Sequence, residues 1–275
     1  MASDKKYKLA SRQAKPNRTV VNVKGVEIGS KKIAVMAGPC AVESGQQLAE
    51  TARAVKEAGA SVLRASAFKP RTSPYGFQGL GEEGLKLIKK AGEETGLVTE
   101  TEVVDTRHIS LVSKYVDILR IGARNMTNFE LVKEVGKAGK PVILKNGLAS
   151  TAEEFLLAAE YLLNEGNKDV ILCYRGTKGF DPATRFALDI SLIPWLKKET
   201  HLPVIVDPSH SAGHKNLVFG AAKAAVAAGA DGLMVEVHPN PEKALSDNAQ
   251  QLLPEEFSKL MGELKRVAKA VGREI

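Results

Sequence analysis

The chain has 275 residues, 44% hydrophobic and 26% charged, with 39 lysines and arginines against 32 acids and a formal net charge of +7. That supplies apolar material for one large domain or two small ones, and no 18-residue uncharged apolar run is present to cross a membrane. Basic residues are spread over every segment and only 5% of residues are aromatic, which argues against a nucleic-acid footprint and favours small phosphorylated ligands.

Residues 1–18 are basic and polar. They lack the apolar core of a secretory signal and read as a flexible arm ahead of a single domain over 19–275. "TVVNVKGVEIG" (19–29) alternates valines with polar residues around Lys24-Gly25 and predicts a short β-hairpin. A rhythm of short apolar runs and helical patterns follows. "KIAVMAGP" (32–39) is a strand buried on both faces. It leads into "ESGQQLAETARAVKEAGA" (43–60), where Ser44 and Gln47 suggest a capping box and Gly59 a helix end. The strand "SVLRASAF" (61–68) precedes a helix over 81–96, and "LVTETEV" (97–103) precedes one over 106–115. The strand over 116–123 precedes a helix over 128–139. "KPVILKNG" (140–147) precedes a helix that Thr151 and Glu154 cap. Strands over 169–176, 202–211 and 231–239 precede helices over 189–200, 217–230 and 254–272. Eight strand–helix units with short connections predict a parallel sheet of the size of a (β/α)8 TIM barrel. The open doubly wound alternative lacks its glycine-rich fingerprint, because "AGPCAVES" is not one. Cys40 and Cys173 make no disulfide framework, which fits a reducing, cytoplasmic setting.

In a barrel of this kind the active site lies at the C-terminal ends of the strands. The polar residues there are Cys40, Arg64 with Lys69, Glu102, Arg124, Lys145, Arg175, His210, and Glu236 with Asp247 in the loop beyond. Arg64, Lys69, Arg124, Lys145 and Arg175 are five cations that would repel in one cavity unless a polyanion occupied it. Arginine recognises carboxylate and phosphate in a bidentate manner, so a ligand bearing both groups answers the demand. Cys40, His210, Glu236 and Asp247 are metal-ligand types from neighbouring strands. They suit one divalent first-row ion, without choosing among Mn, Fe, Co and Zn. A buried cysteine beside a hydrogen-bonded histidine is the alternative. The loop "KPRTSPYGFQGLG" (69–81) follows the second barrel strand on the same rim, where Arg71 and Thr72 are placed to hold a second phosphate.

"AGPCAVES", "KPRTSPYGFQGLG", "IGARNM", "VDPSHSAG" and "GLMVEVHPNPEKALSD" occur in order, each at a strand end. Together they resemble the 3-deoxy-D-arabino-heptulosonate 7-phosphate (DAHP) synthase family, in its short microbial subtype, from about Val20 to Leu252. The resemblance implies a metal-dependent (β/α)8 transferase that condenses phosphoenolpyruvate with erythrose 4-phosphate and releases phosphate, the first step of the shikimate pathway. It implies Cys40, His210, Glu236 and Asp247 as metal ligands. Arg64, Lys69, Arg124, Lys145 and Arg175, with Gly122 and Ala123, would cradle phosphoenolpyruvate. Glu102 would contact a water near that substrate. Lys69, Pro70, Arg71 and Thr72 would receive erythrose 4-phosphate. Cys40, Lys69 and His210 would be the catalytic core, with either Lys69 or a metal-bound water as the proton donor to the aldehyde oxygen. A homodimer or homotetramer is also implied.

The sister family that makes 3-deoxy-D-manno-octulosonate 8-phosphate from arabinose 5-phosphate typically reads Lys-Ala-Asn-Arg-Ser where this chain reads Lys69 to Ser73, so the loop favours the four-carbon sugar. A Schiff-base aldolase on Lys145 would leave the Cys/His/Glu/Asp set unexplained, and a non-catalytic sugar-phosphate binder would show no turnover. Four departures stand out: Ala65-Ser66 for a glycine pair, Arg120 for glutamine, Asn146 for arginine and Tyr174 for glutamate. Many relatives carry a regulatory domain or a fused chorismate mutase. The short segment before the hairpin leads to the expectation of a catalytic core without aromatic amino-acid feedback.

Overall fold

A computed structural model describes residues 6–275; the first five residues of the expected arm lie outside the described residues. Strands β1 (Val21–Val23) and β2 (Val26–Ile28) pair antiparallel as the expected hairpin. Lys24 (φ 50°) and Gly25 (φ 85°) both take the left-handed conformation. That is the turn whose twist matches two adjoining strands, and it needs a residue such as glycine that tolerates positive φ.

Eight parallel strands follow: β3 (Ala34–Gly38), β4 (Val62–Arg64), β5 (Val98–Glu102), β6 (Ile118–Ile121), β7 (Val142–Lys145), β8 (Val170–Tyr174), β9 (Val204–Val206) and β10 (Gly232–Glu236). Each pairs with its successor, and β10 pairs with both β9 and β3, so the sheet closes. The fold is the expected (β/α)8 barrel, with a separate two-stranded sheet at its N-terminal side.

Every barrel strand is buried along its length, which is why all but β5, VTETE, read as mainly apolar runs. Ala34, Met36, Val62, Val98, Ile118, Ile143, Ile171 and Met234 fill the interior, and Val21, Val23 and Ile28 of the hairpin join the same cluster. Most of these interior residues come early in their strands, so the hairpin plugs the N-terminal end of the barrel. The polar chemistry is left to the other end.

The outer layer holds α1 (Gly45–Ala58), α2 (Glu82–Thr95), α3 (Ile109–Ser113), α4 (Phe129–Gly136), α5 (Ala152–Asn164), α6 (Leu192–Glu199), α7 (Pro208–Ala212), α8 (Lys215–Ala227) and α9 (Pro254–Ala270). Thr151 and Glu154 form the reciprocal capping box at α5. At α1 only half of the expected box forms. Ser44 Oγ accepts from the Gln47 N–H, but Gln47 Oε1 accepts from the Glu43 N–H rather than from Ser44. Two elements differ from the reading above. The helix over 106–115 is a 3-10 turn capped by Asp105 and then one short turn, α3. The strand over 202–211 stops at Val206 and gives way to α7, because Asp207 caps the His210 N–H and Pro208 takes the first helical position. None of the described helices is long and apolar enough to cross a membrane.

Residues 7–19, most of the segment expected to be a flexible arm, lie against the barrel. Tyr7 and Ala10 are buried. The Ala10 N–H donates to Glu160 at 2.6 Å, and Arg12 Nε donates to the Thr200 carbonyl at 3.2 Å. His201 anchors both ends of the segment. Its Nδ1 faces Thr19 Oγ1 at 2.7 Å and its Nε2 faces the Leu9 carbonyl at 2.8 Å. A neutral ring satisfies both, accepting at Nδ1 and donating at Nε2.

Burial holds the His201 pKa below its ordinary 6.5, aided by Lys15 and Arg12 and against the pull of the Leu9 carbonyl. A depressed folded-state pKa means that the stabilisation is present above the unfolded value and is lost as pH falls through the folded one. The stability gap between wild type and His201→Gln, measured by urea unfolding, is therefore expected to shrink as pH is lowered below 6.5. A gap that stays constant between neutral pH and pH 5 would contradict this role for His201.

Candidate functional site

The sequence-predicted residues gather at the C-terminal rim of the barrel. Arg64, Glu102, Lys145 and Glu236 are the last residues of β4, β5, β7 and β10. Cys40 follows β3 by two residues. Arg124, Arg175 and His210 stand one to four residues beyond β6, β8 and β9 rather than at the strand ends themselves. Gly38 makes the turn out of β3 possible. Its φ is 150°, and a Cβ there would stand 2.2 Å from the Arg64 carbonyl oxygen.

Cys40, Glu236 and Asp247 bring one ligand atom each within 4.8 Å of one another. His210 Nε2 joins them, 3.5 Å from Glu236 Oε1 and 3.6 Å from Asp247 Oδ2. The donors are a soft thiol, an imidazole and hard carboxylates, and this set fits a divalent first-row cation. The protonation states agree with that use. Burial pushes His210 down, against Asp207 and Glu236, and so favours the neutral ring that binds metals. His210 Nδ1 lies 2.7 Å from Asp207 Oδ2, the outer carboxylate partner common to metal-binding histidines. Burial raises Glu236, but His210 and Arg64 outweigh it and keep the group ionised. Cys40 is the exception: burial and Glu236 push its thiol up to about 11, and a cation bound there would favour the thiolate.

Beneath the rim runs a chain of buried ion pairs. Arg64, fully buried, donates to Glu236 at 3.0 Å and faces Glu100 at 3.8 Å. Arg120 donates to Glu100 at 2.7 Å, to Glu102 at 3.0 Å and to Ser66 Oγ at 2.8 Å. Lys145 pairs with Asp207 at 2.5 Å. Arg64 and Lys145, expected among the cations awaiting a polyanion, are thus already compensated from within. Two of the four departures, Ser66 and Arg120, meet in one hydrogen bond. The other two are structural. Asn146 accepts from the Arg175 N–H at 2.8 Å, and the Tyr174 hydroxyl accepts from the Asp189 N–H at 3.1 Å.

Above this layer opens a cavity of about 490 Å³, lined by nine cationic side chains and only two carboxylates, Glu102 and Asp247. Lys69, Pro70, Arg71, Thr72, Gly122, Ala123, Arg124 and Arg175 all face it. Burial lowers Arg175 to about 10, with Arg185 and Arg124 adding to the effect against Asp207. Its guanidinium lies 3.6 Å above the Phe186 ring, and its buried Nη1 has no hydrogen-bond partner. A buried cationic donor left unpaired calls for an anion. Lys69 Nζ lies 3.0 Å from Cys40 Sγ, between the cavity and the Cys40, His210, Glu236 and Asp247 cluster. Burial opposes its charge, but Cys40, Glu102, Glu236 and Asp247 together raise its pKa. Glu102 stays ionised against burial because Arg120 and Lys69 hold it low. Gly122 approaches Glu102 so closely that a Cβ would meet its Oε1 at 2.0 Å. The loop over 69–81 is tied at its base, where the Lys69 N–H donates to the Gln78 carbonyl and the Gly81 N–H to the Ala67 carbonyl.

Sequence reading missed the partners. Glu100, Lys178, Arg185 and Phe186 carry no motif, Asp207 lies in "VDPSHSAG" but was given no role, and Arg120 stood out only as a departure. One signal was available. "VTETEV" places Glu100 and Glu102 two apart in a strand with apolar flanks, so both face the same side and need cations there.

Residues 10–271 match the model of the DAHP synthetase I family. A phospho-2-dehydro-3-deoxyheptonate aldolase of Thermotoga maritima is 50% identical over 98% of this chain and 79% of its own length. A crystal structure of that organism's phospho-2-dehydro-3-deoxyheptonate aldolase (DAHP synthase) superposes with a TM-score of 0.96 at 49% identity, covering 99% of this chain and 80% of the other. A 2-dehydro-3-deoxyphosphooctonate aldolase of Syntrophobacter fumaroxidans is 31% identical over 90% of this chain and 92% of its own.

Glu100 touches both Arg64 and Arg120 and does not line the cavity. Removing one partner of a buried pair leaves an uncompensated charge, at a cost of about 3–5 kcal/mol. Glu100→Gln is expected to lower stability by that amount in chemical unfolding. A loss below about 1 kcal/mol, the scale of an ordinary surface pair, would mean the network is not sustained by this carboxylate.

Proposed function

The chain belongs to the DAHP synthetase I family and is an enzyme; from that premise we propose that it condenses phosphoenolpyruvate with erythrose 4-phosphate to give DAHP and phosphate, in the cytoplasm, with one divalent metal ion bound by Cys40, His210, Glu236 and Asp247. The observation that carries this reading is the adjacency of a strongly cationic cavity to a Cys/His/Glu/Asp cluster on one barrel rim.

A cation held by those four residues supplies Lewis-acid polarisation of an aldehyde oxygen. The chain's own residues do the rest. Arg124, Lys145 and Arg175 bind the phosphate and carboxylate of phosphoenolpyruvate, and the unpaired Arg175 Nη1 donates to it. Arg71 and Thr72, exposed on the loop, hold the phosphate of the aldose. The two phosphate grips bring the enol carbon against the aldehyde, which is catalysis by orientation. Lys69, kept protonated by its anionic neighbours, gives its proton to the aldehyde oxygen as the new C–C bond forms. Positive character then develops at the former enol-phosphate carbon. Glu102, ionised and fixed by Arg120, orients a water toward it, and the resulting hemiketal phosphate loses phosphate.

The related octulosonate reaction, with arabinose 5-phosphate, is the second outcome to test, since relatives bearing that name are about 30% identical. Metal-stripped protein is expected to consume phosphoenolpyruvate and release phosphate only after Mn²⁺ is restored, and only with the four-carbon sugar. Turnover with the five-carbon sugar would assign the octulosonate reaction, and no turnover with any metal or sugar would contradict the proposal. Arg71→Ala is expected to raise the KM for erythrose 4-phosphate roughly 10- to 100-fold, the loss of one charge-assisted contact. The KM for phosphoenolpyruvate should stay nearly constant, and an equal rise in both would remove Arg71 from the aldose site.

A further inference from the structure

The metal ligands leave unexplained the two glutamines that follow Asp247. Gln250 and Gln251 are 1% and 0% exposed, and neither lines the cavity. A buried carboxamide needs its donor and acceptor matched, and the partners of these two converge on the ligand residues. Gln250 Nε2 donates to Glu236 Oε2 at 2.7 Å. Its Oε1 accepts from Arg185 Nη1 at 2.8 Å, and the same Arg185 nitrogen stands 3.5 Å from Asp247 Oδ1. Gln251 Oε1 accepts from the Cys40 N–H at 3.0 Å, and its Nε2 donates to the Ser246 carbonyl at 2.9 Å.

We propose that Gln250 and Gln251 are positioning residues for the metal centre, which set the orientation of Glu236 and the spacing of Cys40 and Asp247 without touching substrate. The terminal torsion of a glutamate is soft. Gln250 fixes it by holding Oε2, so that Oε1 is turned toward Arg64 and His210. Gln251 ties the turn after the first barrel strand to the loop after the last, across the seam where Cys40 Sγ lies 3.4 Å from Asp247 Oδ2. Asp247 itself sits at φ 49°, a conformation that a non-glycine residue keeps only when its surroundings impose it. The glutamines have a firm base, because the Leu252 N–H donates to the Glu236 carbonyl at 2.9 Å and continues β10 by a parallel bridge at Val237. An amide is the group required at 250. A carboxylate would set acceptor against acceptor at Glu236, and a hydrocarbon would leave both Glu236 and Arg185 short of a partner.

The proposal rests on the metal-site reading above, and the two can fail separately. Mn²⁺ affinity is measured on metal-stripped full-length protein from the electron paramagnetic resonance signal of free Mn²⁺, with urea unfolding of each metal-free variant as the check on folding. Cys40→Ala tests the site: if it binds Mn²⁺ as wild type does, the ligand assignment falls, and this proposal with it. Gln250→Met and Gln251→Met, close in shape to glutamine, leave buried partners unmatched and are expected to fold cooperatively with a lowered urea midpoint, and to bind Mn²⁺ roughly 10- to 100-fold more weakly, the usual effect of removing an outer partner of a metal ligand. Gln250→Asn, which keeps the amide but withdraws it from Glu236, is the milder second variant should the first unfold the barrel, and is expected to weaken binding in the same direction. If Cys40→Ala loses binding while the glutamine variants keep wild-type affinity, the positioning role is overturned and the metal site stands.

Discussion

A charge removed from water must meet an opposite charge within hydrogen-bonding reach, and the mouth of this barrel is organised by that requirement. Glu100 stands between Arg64 and Arg120, Glu236 takes the other side of Arg64, and Asp207 stands between Lys145 and His210. Glu236 ends its strand, Asp207 follows one directly and Glu100 stands two residues before the end of β5, so the barrel's own geometry sets the spacing of the pairs. The layer is a rigid floor. Its charges are largely spent on one another; Arg71, Arg124, Arg175 and Lys178 above it remain for a ligand, and Lys145 faces the same cavity from its pair with Asp207.

The two ends of the barrel divide the work. At the N-terminal end the hairpin seals an apolar interior with valines and isoleucine. At the C-terminal end the same strands, one or two residues further on, turn polar. The arm before the hairpin belongs to the stabilising side. It is bound by Glu160, Thr200 and His201, well removed in the fold from the cavity lining. This separation lets the rim carry a concentration of buried charge that would destabilise a smaller core.

Much of the fold was legible in the sequence because its signals are local. The hairpin turn needs positive φ at Lys24 and Gly25, Thr151 and Glu154 cap a helix three residues apart, and Gly59 and Gly96 end helices in the left-handed conformation. The polar residues near the strand ends were legible for the same reason, since a buried apolar run that ends in arginine or glutamate marks its own boundary. Their pairing was not. Arg120 meets Ser66 across 54 residues and Gln251 meets Cys40 across 211, and no local pattern encodes such contacts. The short helix α7 was missed because the strand reading was carried past Asp207-Pro208, although an Asp cap followed by proline is a local helix-start signal and a central strand does not accept proline. The arm's packing was missed because its composition is polar, while its contacts are made largely by backbone groups.

The central claim is that the cationic cavity and the Cys/His/Glu/Asp cluster form one centre that takes a phosphorylated enol acid beside a divalent ion. A crystal grown with Mn²⁺ and phosphoenolpyruvate, with data collected at the manganese absorption edge, tests it directly. A single anomalous peak is expected among Cys40 Sγ, His210 Nε2 and the Glu236 and Asp247 carboxylates, with the phosphate of the ligand on Arg124, Lys145 and Arg175. Manganese bound elsewhere, or a ligand phosphate away from those three cations while the buried ion pairs stay intact, would contradict it.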